Sequence, residues 1–275
     1  MSVYYQDDYQ QAVSRSGEIY PVRWKWHLRG ILKHKASGSV LDIGCNSGGF
    51  LTSLKGGQWK LHGIEYSPAT AERARAATGG QIFAGDVLDA NFRPRSFDLI
   101  TCMDVLEHLY EPREVLRRVN EWLKPGGVFY VFVPNIHSWE ARIFRSHWYG
   151  LDLPRHVQHF SKRSLTELAD SVGLRAISMV TPAGNYLEED FRILSDHVLR
   201  KMRLRHKPLQ WHTEPHLLWR VIRKGIRLTA GQLFSGTTAL LGGAASIQAV
   251  FTKSAAGCGT RVRMNSKIDK GNERS

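Results

Sequence analysis

Short apolar runs and amphipathic stretches alternate along the first two thirds of the chain. Trp24, Leu28, Ile31 and Leu32 recur at helical spacing and predict a helix that ends near Gly38. A strand follows over Ser39–Ile43, then a helix from Gly49 to Lys55, where Phe50, Leu51 and Leu54 share a face and Gly56-Gly57 stops the run. Further strands are predicted over Trp59–Glu65, Gln81–Val87, Phe97–Met103, Val128–Val133, Leu174–Val180 and Ile247–Phe251. Between them lie helices over Ala69–Ala77, Arg113–Leu123 and Leu165–Val172. Ser67-Pro68 and Pro112 suit helix starts, Ser161 or Ser164 caps the last of these helices, and Lys124-Pro125-Gly126-Gly127 ends the one before it. Strand–helix alternation of this kind gives an α/β fold, a doubly wound, Rossmann-like seven-stranded sheet with a helical lid or insertion.

The first strand runs into Val40-Leu41-Asp42-Ile43-Gly44-Cys45-Asn46-Ser47-Gly48-Gly49. Gly44 and Gly48 let the backbone approach a ligand where a Cβ would block it, and the next helical turn points its N–H groups into the same space. A dinucleotide site wants G-x-G-x-x-G, whereas here the glycines fall as Gly44-x-x-x-Gly48-Gly49. Asp42 adds a carboxylate that suits a cationic or zwitterionic ligand better than a pyrophosphate. Glu65 ends the second strand, where a carboxylate can accept from ribose hydroxyls. Asp86 follows the third strand; it is equally the kind of residue that closes a turn.

The stretch around Gly44 resembles motif I of the class I S-adenosylmethionine methyltransferases, with Asn46 in place of the middle glycine. The succession of Phe97-Asp98-Leu99-Ile100, Asp104-Val105-Leu106-Glu107-His108-Leu109, Pro112 and Leu123-Lys124-Pro125-Gly126-Gly127 is similar to the branch holding ubiquinone-biosynthesis O-methyltransferases and the methyltransferase-23 group. The resemblance covers roughly residues 25–180. It implies S-adenosylmethionine as the methyl donor, held by Asp42, Gly44, Gly48, Glu65 (on ribose) and Asp86 (on the adenine amine), with Cys45, Tyr66, Val87 and Met103 completing the donor site. Strand four lacks the [D/N]-P-P-[Y/F] of base N-methyltransferases, which argues against base N-methylation though not against every RNA substrate.

Beyond strand five the chain carries Trp139, Arg142, Phe144, Arg145, His147, Trp148 and Tyr149, then Asp152-Leu153-Pro154-Arg155-His156-Val157-Gln158-His159-Phe160-Ser161. The family often has a comparable segment as a cap over the methyl donor. Methyl transfer from a sulfonium needs proximity above all, and a hydroxyl acceptor gains from a base near neutral pKa. His108, His156 and His159 are the candidates for that base. Asp104, Glu107 and His108 could gather a cation, but without a fixed ligand geometry no metal is assigned.

Charge changes the picture at the far end. The chain carries 38 Lys and Arg against 25 Asp and Glu, a formal net charge of +13. Ten of the basic residues fall between Arg192 and Arg227, interleaved with Trp211, Trp219 and several leucines. Such a stretch suits an anionic membrane or phosphates, or is simply a solvated helix pair. Leu228–Thr252 has no charged residue but is too rich in glycine, serine and threonine to read as a span. The three cysteines, Cys45, Cys102 and Cys258, form no C-x-x-C pair and imply neither disulfide framework nor zinc site. The N-terminus lacks signal-peptide features, so a cytoplasmic protein is expected, peripheral to the inner membrane face if the basic stretch binds lipid.

The expected organisation is a lead-in and helix over 1–38, a methyltransferase core over 39–183 with an acceptor-side cap at 134–164, a basic helical insertion over 184–245, a last strand over 246–253 and a disordered basic tail over 254–275. The expected function is methyl transfer from S-adenosylmethionine to a small-molecule, glycan or lipid-linked acceptor, more readily oxygen than nitrogen. An RNA-directed methyltransferase or RNA-binding protein, or a donor-binding scaffold without catalysis, are the alternatives; nucleic acid is the less favoured partner because no RNA-binding module is recognisable.

Overall fold

The structure is a computed structural model that describes residues 20–183, 190, 193–194 and 230–253. The basic stretch 192–227, apart from its two described positions, and the tail 254–275 lie outside the described residues, as does the lead-in before Tyr20. Helix α1 (Tyr20–Leu32) precedes β1 (Gly38–Ile43), α2 (Gly49–Ser53), β2 (Trp59–Glu65), α3 (Pro68–Thr78), β3 (Gln81–Ala84) and β4 (Phe97–Met103). A 3₁₀ turn (Leu106–His108), α4 (Pro112–Trp122), β5 (Leu123–Pro134), α5 (Trp139–Phe144), α6 (Lys162–Asp170), β6 (Leu174–Val180), α7 (Ala230–Leu240) and β7 (Ser246–Lys253) follow.

The seven strands form one sheet in the order β3-β2-β1-β4-β5-β7-β6, with β7 antiparallel to both neighbours. This is the doubly wound seven-stranded sheet expected from the alternation of elements, and the class I methyltransferase arrangement that the resemblance implies. Successive side chains of a strand point to opposite faces, and both faces are covered here. Leu41, Ile100, Phe129 and Val131 join the core beneath α4 and α6, while Val40, Leu99, Tyr130 and Phe132 join the core beneath α1, α2 and α3. Burial on both sides is why these strands read as unbroken apolar runs rather than as alternating ones.

Expected boundaries move. The first helix closes at Leu32, well short of Gly38, which already opens β1. Strand five begins at Leu123 and not at Val128, because Leu123 pairs with Phe97 and the Lys124–Gly127 segment bulges out before Val128 pairs with Leu99. The bulge is held by the Lys124 ammonium on Asp98 Oδ2 at 2.6 Å. The third strand stops at Ala84, since Gly85 adopts φ 150° and turns the chain toward Asp86 and Val87. Chain order reverses between β1 and β4, which opens a crevice at their carboxyl ends. Every candidate donor-site residue lies on a strand ending there or on the segment just beyond it.

Candidate active site

The crevice starts where β1 turns. Gly44 (φ 72°), Asn46 (φ 49°) and Gly48 (φ 84°) all adopt left-handed backbone conformations. A methyl group at Gly44 would overlap Val105 Cγ2. Asn46, where the resembling motif has glycine, keeps the turn because asparagine is one of the few side chains that tolerate this region; its Oδ1 also accepts from the Ser47 N–H at 2.6 Å.

Glu65 stands across from this turn. Its Oε2 accepts from the Asn46 N–H at 2.9 Å and its Oε1 from the Ser67 N–H at 3.1 Å. A carboxylate oxygen can accept more than one bond, so both oxygens remain able to take a ribose hydroxyl. Burial pushes the Glu65 carboxyl above its ordinary range, against the pull of those N–H donors. Asp42 is buried on the same side, where Thr101 Oγ1 donates to its Oδ1 at 2.6 Å. Burial, and then the nearby Glu65 charge, raise Asp42 from 3.8 to about 7 despite the Thr101 bond. Two carboxyls pushed toward neutrality in one crevice form a donor set suited to a cation, and the turn leaves no side chain in the way at Gly44. The residues present therefore fit S-adenosylmethionine, which carries a sulfonium and an ammonium.

The other expected donor contacts spread around this pair. Asp86 follows β3, whose Ala84 is in register with Glu65, and its Oδ1 accepts from the Leu88 N–H at 3.0 Å, so it closes a turn and still has a second oxygen. Tyr66 is exposed just beyond Glu65, whereas Val87 and Met103 are buried in the two cores. Cys45 is buried and its thiol is raised, chiefly by burial, so it packs rather than reacts.

On the acceptor side the structure brings together two of the three expected histidines. His108 and His156 meet edge to face with ring centroids 4.7 Å apart. The cap reaches His108 because the Val157 and Gln158 N–H groups both donate to the Glu107 carbonyl, at 2.9 and 3.0 Å. His108 Nδ1 lies 2.9 Å from the Arg155 carbonyl and His156 Nδ1 lies 2.8 Å from the Gly150 carbonyl. A carbonyl only accepts, so each Nδ1 carries the proton and each Nε2 the lone pair. Burial, followed by repulsion from His156, pushes His108 below its ordinary 6.5, although the Arg155 carbonyl pulls the other way. His159 is held apart, its Nε2 donating to the Leu151 carbonyl at 3.1 Å.

Among the described residues, Glu107, His108 and His156 each offer a ligand atom within 4.8 Å of the others. His156 takes the place that the sequence suggested for Asp104. Three residues that the sequence reading passes over complete the cap. Asp152 bonds the Arg155 guanidinium at 2.6 Å and sits 3.8 Å from His156 Nε2; the D-x-x-R-H spacing is its one visible signal. Asn135 donates to the Ala244 carbonyl and accepts from the His137 N–H, tying β5 to the lead-in of β7. Glu140 is buried in α5, and burial raises its carboxyl. Neither of the last two has a local sequence signature, since both depend on partners brought in by the fold.

A family model described as a methyltransferase domain, of the methyltransferase-23 group, matches residues 20–179. The ubiquinone biosynthesis O-methyltransferase of Paraburkholderia phymatum is 28% identical over 195 residues, covering 65% of this chain and 82% of that one. That of Thiobacillus denitrificans is 27% identical over 192 residues, with the same coverage of 65% and 82%. Among solved structures, an S-adenosylmethionine-dependent methyltransferase from Thermotoga maritima superposes with a TM-score of 0.56 at 16% identity, over 89% of this chain and 95% of that one. A Haemonchus contortus phosphoethanolamine N-methyltransferase, solved with phosphomonomethylethanolamine and S-adenosylhomocysteine, gives 0.54 at 17% identity, over 84% and 53%. These two share the fold.

Proposed function

Because the chain belongs to the methyltransferase-23 family of methyltransferase domains and uses S-adenosylmethionine, we propose that it methylates an oxygen of a small-molecule, glycan or lipid-linked acceptor, with the His108–His156 pair as the base. The observation that carries this reading is that pair, half-buried to buried, with both Nδ1 positions fixed by backbone carbonyls beside the donor crevice. The donor supplies an activated sulfonium methyl group that needs no acid to leave. What the chain must add is a fixed acceptor and somewhere for the hydroxyl proton to go. The depressed His108 is neutral at physiological pH, so an Nε2 lone pair is ready to take that proton as the oxygen attacks. The names of the quinone-pathway relatives support an oxygen acceptor, and the lack of a recognisable RNA-binding module in the sequence disfavours the nucleic-acid alternative.

The test is product release, measured as S-adenosylhomocysteine, with ortho-diphenols, nucleotide sugars and primary amines as acceptors. Turnover on a hydroxyl acceptor, lost in His156→Ala while S-adenosylmethionine still binds, supports the reading; methylation confined to amines overturns it. A second reading rests on the 4.8 Å cluster of Glu107, His108 and His156. These side chains would hold a divalent cation that orients the acceptor oxygen, and loss of turnover on chelation, restored by added Mg²⁺ or Zn²⁺, would favour it.

A further inference from the structure

Helix α7 has an inward face and an outward face of unusual composition. Inward, Phe234 packs against Phe144 and Trp148 of the cap, and Thr238 is buried. Outward, Leu233, Thr237 and Leu240 recur at helical spacing and Leu241 follows, with the three leucines 74%, 90% and 69% exposed. A solvent-facing helical surface normally carries charge. This one carries none, and no charged residue occurs from Leu228 to Thr252.

The surface continues onto the cap. The Trp139 N–H donates to the Gly243 carbonyl at 2.9 Å, which seats Trp139 against the turn that follows Leu240 and Leu241. Trp139 and Ile143, one turn apart on α5, are themselves exposed. Cations border the patch. The Arg142 guanidinium lies 5.4 Å from the Trp139 ring, and Lys162 Nζ donates to the Gly242 carbonyl at 3.1 Å. Ten Lys and Arg against Asp196 and Glu214 occupy the sequence from Arg192 to Arg227, which leads into α7.

We propose that this surface (Leu233, Leu240, Leu241, Trp139 and Ile143) docks the enzyme on an anionic lipid bilayer. Leucines with an interfacial tryptophan and a basic border are the composition of a helix lying in a headgroup layer. A second copy of the chain is the poorer occupant, because each copy carries +13 and the patch offers no acid to pair with the other copy's basic border. The contact is peripheral. The 11 residues of α7 span about 16 Å, roughly half a hydrocarbon core, and no described helix is long and apolar enough to cross a membrane.

The location gives the contact a use. Ser246, which opens β7 after this loop, pairs with Pro134 at the carboxyl end of β5. The patch therefore lies at the carboxyl-end edge of the sheet, the same edge at which the donor crevice opens. A bilayer held there presents the acceptor site to molecules partitioned into the membrane. The inference is independent of which atom is methylated.

The test uses the full chain in flotation with vesicles of phosphatidylcholine alone or with phosphatidylglycerol. The expected result is flotation only with the anionic vesicles, weakened by salt. The bound fraction should fall about tenfold or more in the Leu240→Glu/Leu241→Glu variant, which replaces exposed side chains and keeps calorimetric S-adenosylmethionine binding. Failure of the wild type to float while it still binds the donor overturns the proposal. Equal flotation of the variant does so as well. A dimer in sedimentation that the variant dissolves, without vesicle binding, would assign the patch to a second copy instead.

Discussion

On the proposed donor contact, Asp42 carries a cost that a bound methyl donor would relieve, and replacing it by asparagine separates the two effects. Asp42 is 3% exposed, and burial lifts its carboxyl from 3.8 to about 7. That difference corresponds to ~4 kcal/mol. The sign follows from linkage. The folded protein binds the proton more tightly than the unfolded chain, so the associated stability is fully present below pH 3.8 and is lost as pH rises through about 7. At pH 8 the donor-free enzyme therefore holds a buried anion at a disadvantage. In Asp42→Asn the amide oxygen still accepts from Thr101, while its new NH₂ group is buried at a cost of ~1–3 kcal/mol. The net expectation is a variant more stable than wild type by ~1–3 kcal/mol at pH 8 and no more stable at pH 5. Binding should move the opposite way. Wild-type affinity for S-adenosylmethionine rises as pH passes through 7 and Asp42 ionises, whereas the variant binds ~10–100-fold more weakly at pH 8, with a flatter pH dependence. Urea melts of donor-free protein at several pH values and calorimetry at the same values measure both. A variant equally destabilised at pH 5 and pH 8, or one with undiminished affinity at pH 8, would refute the reasoning.

Three further outcomes are expected. At saturating donor, the acid limb of turnover on a hydroxyl acceptor lies below pH 6.5, because the neutral imidazole is the active form and His108 is depressed by burial; a limb above that value in the pH–rate profile contradicts the assignment. Gly44→Ala puts a Cβ into Val105 and a non-glycine residue at φ 72°, so it costs ~1–2 kcal/mol of stability for the backbone alone and at least about tenfold in donor affinity, both read by melts and calorimetry. Tyr130→Phe removes the 2.7 Å bond between the buried Tyr130 hydroxyl and His27 Nδ1 and lowers stability by ~1–3 kcal/mol, read by urea melts.

What the sequence makes legible follows from where each residue's environment is decided. The strands are legible because a strand buried on both faces must be apolar at every position, as Val40-Leu41 and Phe129-Tyr130-Val131-Phe132 are. Asp42 and Glu65 stand out for the same reason: a carboxylate at the end of such a run needs a ligand or a donor. Glu65 has the Asn46 N–H of the Gly44 turn and the Ser67 N–H, and Asp42 has Thr101 of the neighbouring strand. The start of β5 is hidden because Lys-Pro-Gly-Gly is turn chemistry in isolation. Only the pairing of Leu123 with Phe97 makes it a bulge within a strand. The cap is beyond local reading altogether. That His108 meets His156 and not His159 is settled by two backbone bonds to the Glu107 carbonyl from Val157 and Gln158, far later in the chain. Periodicity and spacing carry no information about which carbonyl such a segment will find. The candidate methyl-donor residues thus lie within single strand-to-turn units, each legible by itself, while the proposed acceptor side depends on a contact between two distant segments. On the proposed assignment, a change in the cap would therefore redirect the acceptor chemistry while every candidate donor residue stays in place.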